Sequence, residues 1–395
     1  MSNRRAGLVA GLIGLAAFGC ARHRAAGADA AAALASEDGP VLDAAVGEVA
    51  WPDEQRISEQ IAVAIRTGLE QLYPPGTEVR RDAHPKAHGC VRAAFRVEDT
   101  LAPELAHGVF VPGRSYDAWI RFSNGNPLPD RADAKGDARG MAVKLLGVPG
   151  DKLLERERDA DTQDFVLINH PVFFVDDPQR YLRLFERGAS RNPLVKVTAP
   201  LALRPREMAL AAKIASSRIA NPLEVRYWST VPYRLGPPGQ GVAVKYSIRP
   251  CSPPASVIPN RPDRDFLRHA MADTLATRDA CFDFLVQPRR DASMSVEDSR
   301  TEWSEAEAPF VKVATITVPA QIFDTPERHR FCEDLSFTPW HALPEHRPLG
   351  IVNRVRRVVY EEASAFRHDR NGRPRVEPGP VVQRDQASPS PPPTP

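Results

Sequence analysis

Two groups of residues in this sequence have side chains and spacings suited to chemistry at a bound group. The first is His84-Pro-Lys-Ala-His88, which places two imidazoles just before a predicted strand. Imidazoles bind metals and transfer protons near neutral pH, but no third metal ligand follows nearby, so metal binding by this pair is disfavoured. The second is Arg356 and Tyr360, one helical turn apart on one helix face. The cation favours the phenolate form of the tyrosine, and a phenolate is an anionic donor for a metal ion.

Three further motifs carry polar side chains on or beside predicted strands. Arg121-Phe-Ser123 ends one strand, and Asp137-Ala-Arg-Gly-Met-Ala-Val-Lys144 spans the next. Asn169-His170-Pro-Val-Phe-Phe174 follows a third strand. Each motif also has an ordinary structural interpretation, as a strand edge, a capping residue or a turn. The order of the motifs along the chain is therefore more informative than any one of them.

The elements that must position these residues can be read from hydrophobic periodicity. Apolar residues at helical spacing predict helices over 55–72, 178–187, 205–219 and 353–370. Short runs rich in Val, Ile, Phe and Tyr predict strands over 91–97, 116–122, 140–146, 164–168, 242–248 and 311–318. Strands cluster early and longer helices come late. This order predicts an α+β fold with an antiparallel sheet or barrel rather than a doubly wound parallel sheet.

The N-terminus carries the pattern of an export signal. Arg4 and Arg5 precede an apolar run over 6–18, which is too short to span a bilayer and suits a signal-peptide core. The run ends at Gly19-Cys20, so we predict a signal peptide over 1–20 with Cys20 as the acylated residue of a lipoprotein. Simple secretion, twin-arginine export and a retained N-terminal anchor are the alternatives.

Composition divides the rest of the chain. The Ala-rich stretch 21–53 predicts a flexible linker, 54–370 a single folded domain, and the Pro-rich stretch 371–395 a disordered tail. Lys plus Arg number 52 and Asp plus Glu number 50, and no basic run is interleaved with aromatics. A nucleic-acid partner is therefore not expected. Four further cysteines lack CxxC spacing, so one or two disulfides and four buried thiols both remain open: Cys90, Cys251, Cys281 and Cys332.

Taken together, the motifs resemble those of the catalase superfamily, in family order over roughly residues 80–365. The resemblance is nearest to the small bacterial catalase-related proteins and to the catalase-like allene oxide synthases. His88 precedes Phe95 by seven residues, as the distal histidine of catalases precedes a phenylalanine. Arg356 and Tyr360 match the proximal Arg-x-x-x-Tyr. The resemblance implies a catalase-like antiparallel β-barrel with surrounding helices in one haem domain.

The resemblance also implies roles for individual residues. Tyr360 would ligate the iron of haem b with Arg356 beside it, and Arg121 would pair with a haem propionate. On the other face, His88 would move protons while Asn169 orients the peroxide. Ser123 would hydrogen-bond the ring of the distal histidine. His170 stands where catalases have threonine, and its role is open.

The activity that follows is that of a peroxidase or catalase-like oxidoreductase acting on hydrogen peroxide or organic hydroperoxides, with an electron donor that the residues do not specify. Ala87, before His88, is apolar as in true catalases, whereas allene oxide synthases have threonine there. The alternatives are a fatty-acid hydroperoxide isomerase or lyase, and a haem-binding lipoprotein without turnover. The protein is expected in the periplasm or at the outer membrane, touching the membrane only through its lipid anchor.

Overall fold

A closed antiparallel β-barrel forms the centre of the molecule. The structure is a computed structural model that describes residues 42–379. The predicted signal peptide with Cys20, the linker up to residue 41 and the tail from residue 380 lie outside the described residues.

Eight strands close the barrel and a ninth extends it. The strands are β1 (Ala87–Val97), β2 (Ser115–Asn124), β3 (Arg139–Leu146), β4 (Thr162–Ile168), β5 (Tyr227–Trp228), β6 (Tyr233–Leu235), β7 (Val242–Pro250), β8 (Ala280–Pro288) and β9 (Val311–Val318). The strand order is β4-β3-β2-β1-β9-β8-β7-β5, with β5 pairing back to β4 and β6 added beside β7. All these pairs are antiparallel.

Alternating apolar residues fill the barrel. Phe95, Phe165 and Phe284 are buried, and the last two have ring centroids 4.9 Å apart. Successive side chains of a strand point to opposite faces, so the same strands present their other residues outward, toward the helices. The interior is therefore a packed core, and space for a ligand lies on the outside of the barrel.

Seven helices of the described chain surround the barrel. They are α1 (Glu54–Leu72), α2 (Pro178–Gly188), α3 (Pro193–Lys196), α4 (Pro205–Ala215), α5 (Phe266–Leu275), α6 (Pro326–Asp334) and α7 (Gly350–Asn371). The predicted α+β class, with an antiparallel barrel and surrounding helices, is confirmed.

Helix α7 packs lengthwise against α1. Ile57, Ile61 and Ile65 of α1 form one buried cluster with Ile351 and Val355 of α7. The spacing of these residues puts them on one face of each helix. This packing fixes the rotation of α7, and with it the direction of the residues that follow one turn later.

The folded body extends beyond its predicted bounds at both ends. Glu48, in the predicted linker, is buried and accepts a hydrogen bond of 2.7 Å from the Arg354 guanidinium. Glu377, in the predicted tail, lies 2.6 Å from Lys144 of β3. Both are ion pairs between residues far apart in sequence, which composition alone does not indicate.

Among the described residues, two cysteines are paired and two are free. Cys251 and Cys281 form a disulfide that joins the ends of β7 and β8. Cys90 and Cys332 are buried free thiols.

Within residues 42–379, no helix combines the length and apolarity needed to cross a membrane.

Candidate functional site

A two-lobed cavity lies between the outside of the barrel and α7. Both lobes are lined by the segment 82–84, by Val166 and Leu167 of β4, and by Val359 and Tyr360 of α7. The larger lobe holds about 1180 Å³ of empty space, part of it open to solvent. That is the scale of a site for a sizeable organic ligand.

Tyr360 and Arg356 both face this cavity from α7. The Arg356 guanidinium lies 5.2 Å from the ring centroid of Phe173 and donates a hydrogen bond of 3.3 Å to Oδ1 of Asn353. These contacts hold the guanidinium on the tyrosine side of the helix. The helix begins at Gly350, which has a φ of +80° and where a Cβ would overlap the carbonyl oxygen of Val296. Glycine is therefore required at the start of the helix that carries Tyr360.

His84 faces the same cavity from the opposite wall. Its Nδ1 and the Oγ of Ser123 share a hydrogen bond of 3.0 Å. A Cβ on Gly140 of β3 would lie 2.5 Å from that nitrogen and 2.8 Å from that oxygen. Because residue 140 is glycine, there is space for the hydrogen bond between His84 and Ser123. His84 itself has a φ of +62°, a left-handed conformation that is costly for a side chain with a Cβ and is found often at functional sites.

Burial and neighbouring cations keep the His84 imidazole neutral. Burial lowers its pKa to about 3, and the positive charges of Arg121, Arg356 and Arg81 contribute to the same shift. At mildly acidic and neutral pH the imidazole is therefore in its neutral form, and a pKa this low makes it a weak base. The arrangement places an unprotonated imidazole on the wall of the cavity.

The structure does not bring His88 to the cavity. His88 is buried on β1, where its Nε2 is bonded to Oδ1 of Asn124 at 2.8 Å and its Nδ1 lies 3.7 Å from Asp133. Counting back seven residues from Phe95 leads to this buried strand position. The irregular segment before the strand reaches the cavity instead, and the histidine that lines it is His84.

Asn169 is likewise not part of the cavity wall. Its Oδ1 accepts from the backbone N–H of Arg139 at 2.7 Å, and its Nδ2 donates to Oγ of Ser217 at 2.8 Å. The first bond ties the end of β4 to the start of β3, and the second ties it to the segment that follows α4. The neighbouring His170 bonds the backbone of Val172 within its own turn. Phe173 and Phe174, a few residues later, do line the cavity.

The smaller lobe is rich in arginine. Arg81, Arg121 and Arg367 all line it, whereas Glu333 is the carboxylate that pairs with them, 3.1 Å from Arg81 and 3.6 Å from Arg121. Arg367 donates to Oγ of Ser336 at 3.1 Å, and its pKa is lowered by burial and by Arg81. The Nε of Arg121 is buried without a hydrogen-bond partner among the described residues. The lobe therefore has an excess of positive charge that suits an anionic group.

Sequence reasoning named Arg121 but missed Arg81 and Arg367. Arg367 follows Tyr360 by seven residues, a spacing that keeps both on one face of α7. Arg81 precedes His84 by three residues in an irregular segment, where spacing carries no directional information. The helix position could have been found from the sequence, and the loop position could not.

Asp82 is a further cavity residue that the sequence patterns do not indicate. Its side chain lines both lobes and forms no ion pair within residues 42–379. Burial raises its pKa to about 7. The cavity therefore contains a carboxyl group that is partly protonated at neutral pH beside a neutral imidazole.

Solved structures with a similar fold are catalases. A fungal catalase superimposes with a TM-score of 0.57 at 17% identity, covering 74% of this chain and 60% of that one. Catalase A from Saccharomyces cerevisiae gives 0.55 at 18% identity, with 74% and 62% covered. A bacterial catalase gives 0.56 at 15% identity, with 90% and 71% covered. The chain thus spans about three fifths of the first two catalases.

At these identities the likeness shows the fold. No protein-family model matches the chain, and no curated protein sequence matches it. The predicted catalase-like fold is confirmed by the structural likeness.

Proposed function

We propose that the chain is a haem-dependent peroxidase or catalase-like oxidoreductase that binds haem b in the two-lobed cavity. Its substrate would be hydrogen peroxide or an organic hydroperoxide. The observation that carries the proposal is the meeting of Tyr360 and His84 in one cavity with an arginine-rich end. The catalase-like fold supports the same class of chemistry.

The cavity fits haem in charge and in polarity. Tyr360 would ligate the iron through its phenol oxygen, and Arg356 lines the cavity one helical turn away. Arg81, Arg121 and Arg367 would bind the two carboxylates of the haem edge, which explains the unpartnered Nε of Arg121. Phe173, Ile351 and similar apolar residues would cover the ring. Bound haem would supply the iron at which a peroxide O–O bond is cleaved.

The residues of the chain would handle the protons. The neutral His84 imidazole can take a proton from a hydroperoxide oxygen and return it to the other oxygen. Ser123 fixes the tilt of that ring through the bond to Nδ1. Asn169 would not orient the peroxide, because both polar atoms of its amide are hydrogen-bonded within the fold.

Two features of the cavity bear on the choice between hydrogen peroxide and an organic hydroperoxide. The residue before His84 is Ala83, which is apolar, as is the residue before the distal histidine in true catalases, and this favours hydrogen peroxide as the substrate. The apolar walls of the larger lobe, including Ile65, Ile214 and Phe174, favour an organic hydroperoxide. A fatty-acid hydroperoxide isomerase or lyase is therefore the second candidate.

One experiment separates these functions. The full chain is loaded with haem, and hydrogen peroxide and a fatty-acid hydroperoxide are added in separate reactions. Release of oxygen indicates a catalase, oxidation of a donor dye without oxygen indicates a peroxidase, and loss of the fatty-acid hydroperoxide without a donor indicates an isomerase or lyase. Stoichiometric haem with none of these reactions indicates a haem-binding lipoprotein. Absence of haem uptake would overturn the proposal.

We also propose export with acylation at Cys20, giving a lipoprotein of the periplasm or outer membrane. The Cys251–Cys281 disulfide supports an oxidising compartment. The test is incorporation of a labelled fatty acid by cells that express the full chain. Label that is lost in Cys20→Ser supports acylation, and label that persists in this variant contradicts it.

A further inference from the structure

The connection between α2 and α4 exposes several large apolar side chains. Leu194 is 77% exposed, Val197 74% and Leu201 67%. Leu194 lies on α3, Val197 is the residue that follows it, and Leu201 lies on the short 3-10 turn Ala199–Ala202. Apolar side chains grouped in this way on a folded surface commonly mark an interaction site.

The local backbone presents these side chains together. Val197 donates to the carbonyl of Pro193 at 3.1 Å, and Leu201 donates to that of Thr198 at 3.0 Å. The backbone is therefore helical in character through both turns. Spacings of three and four residues put Leu194, Val197 and Leu201 on one side of such a segment.

Positive charge accompanies the apolar residues. Arg191, Lys196 and Arg204 are exposed and form no ion pair within the described chain. The sequence has no Asp or Glu from 188 to 206, although the whole chain has nearly equal numbers of acidic and basic residues. The segment 191–204, called here the α3 surface, is therefore locally basic as well as apolar.

We propose that the α3 surface docks on an anionic phospholipid membrane. Its apolar side chains would enter the boundary between headgroups and acyl chains, while its cations meet the lipid phosphates. This combination is the one by which surface segments bind membranes without crossing them. The contact is distinct from the predicted acyl anchor at Cys20 and would act beside it.

A second copy of the chain fits this surface less well. A two-fold interface brings the same patch of each copy together, so Arg191, Lys196 and Arg204 would face their own counterparts. An anionic bilayer complements all three charges at once. Charge complementarity therefore favours the membrane.

Docking has a consequence for the cavity. Pro178 and Tyr181 of α2 and Ile214 of α4 line its larger lobe. The α3 surface connects these two helices. Docking would hold the part of the molecule that forms this wall against the membrane.

The test is co-sedimentation of the full chain with lipid vesicles. The parent carries Cys20→Ser, so that acylation does not contribute, and the N-terminal apolar run is common to all variants. Vesicles are phosphatidylcholine alone, or phosphatidylcholine mixed with phosphatidylglycerol. We compare the parent with Leu194→Ser/Leu201→Ser and with Arg191→Gln/Lys196→Gln. The matched control is Ile322→Ser, which alters a side chain that is 82% exposed outside this surface.

We expect stronger binding of the parent to the anionic vesicles and unchanged binding of the control. The double leucine variant should bind roughly tenfold or more weakly. The charge variant should lose the preference for phosphatidylglycerol. Equal binding by all variants would overturn the proposal. So would a dimer in gel filtration that the leucine variant dissociates without any change in vesicle binding. No haem is needed, so failure here leaves the proposed enzyme function untouched.

Discussion

His84 and His88 lie four residues apart and occupy opposite environments. His84 has a left-handed backbone, lines a cavity and is bonded to Ser123. His88 lies on a regular strand and is enclosed by Asn124 and Asp133. Both imidazoles are kept neutral, since burial is the largest cause of a lowered pKa in each. Of the two, His84 is the one that lines the cavity.

The comparison shows that a neutral, buried histidine need not line a cavity. At His88 the imidazole holds elements together, and its removal should cost stability. At His84 the left-handed backbone and the space left by Gly140 direct the imidazole to the cavity, so under the proposed function its removal should cost turnover.

The largest effect is expected from His84→Ala. Because proton transfer by a positioned side chain is worth about 10²–10⁴-fold in rate, turnover of hydroperoxide should fall by that factor while haem is retained. The measurement is steady-state turnover per bound haem. Turnover equal to that of the unaltered chain would remove His84 from the mechanism.

Gly140→Ala should have the next effect. The added methyl group would lie against Nδ1 of His84 and Oγ of Ser123, so it should displace the pair and lower turnover by roughly 10²-fold, the scale set by a misplacement of about 1 Å. The control is Gly68→Ala on α1, where nothing lies within 4 Å. Equal turnover in the two variants would show that the pair does not need its present position.

His88→Ala should change stability instead of chemistry. Its loss removes the bond to Asn124 in a buried polar cluster, which typically costs about 1–3 kcal/mol in free energy of unfolding. Chemical denaturation measures this cost. Turnover per folded, haem-loaded molecule should stay near that of the unaltered chain, and a fall as large as that of His84→Ala would reverse the assignment of the two histidines.

Asp82→Asn should change the pH dependence of stability. The folded state raises the pKa of Asp82 from 3.8 to about 7, so it favours the protonated form. The contribution of this residue to stability is therefore present below about pH 4 and lost as pH rises through about 7. The asparagine does not titrate. Thermal unfolding should show a stability gain over the unaltered chain that is larger at pH 8 than at pH 4, and a gain independent of pH would contradict this.

Regular elements were the predictable part of this molecule. Helix 353–370 was predicted and Gly350–Asn371 is observed, and strand 311–318 is observed as Val311–Val318. Strand β8 was missed, although Phe282, Phe284 and Val286 alternate along it and are buried. In helices and strands the backbone repeats regularly, so the spacing of residues in the sequence determines the face on which each side chain lies. The sequence pattern is therefore sufficient to predict these elements.

The residues of the candidate site show the same difference between regular and irregular segments. Arg356 and Tyr360 were placed correctly in relation to each other, because both lie on one helix face. The sequence pattern points to His88 whereas His84 lines the cavity, because the chain before β1 is irregular and the register between β1 and β2 shifts between Ala87 and Gly89. The turn that directs Asn169 to Arg139 and Ser217 is equally non-repetitive. In such segments only the folded structure decides which side chain faces the cavity.

The proposed function depends on ligation of a haem iron by Tyr360 in the cavity that His84 faces. It is tested by the ferric absorption and electron paramagnetic resonance spectra of the full chain loaded with haem, recorded beside Tyr360→Phe and Tyr181→Phe. Tyr181 also lines the cavity, so it is the matched control. We expect phenolate-to-iron charge-transfer bands in the unaltered chain and in Tyr181→Phe, and their loss in Tyr360→Phe. The same bands in Tyr360→Phe would contradict it.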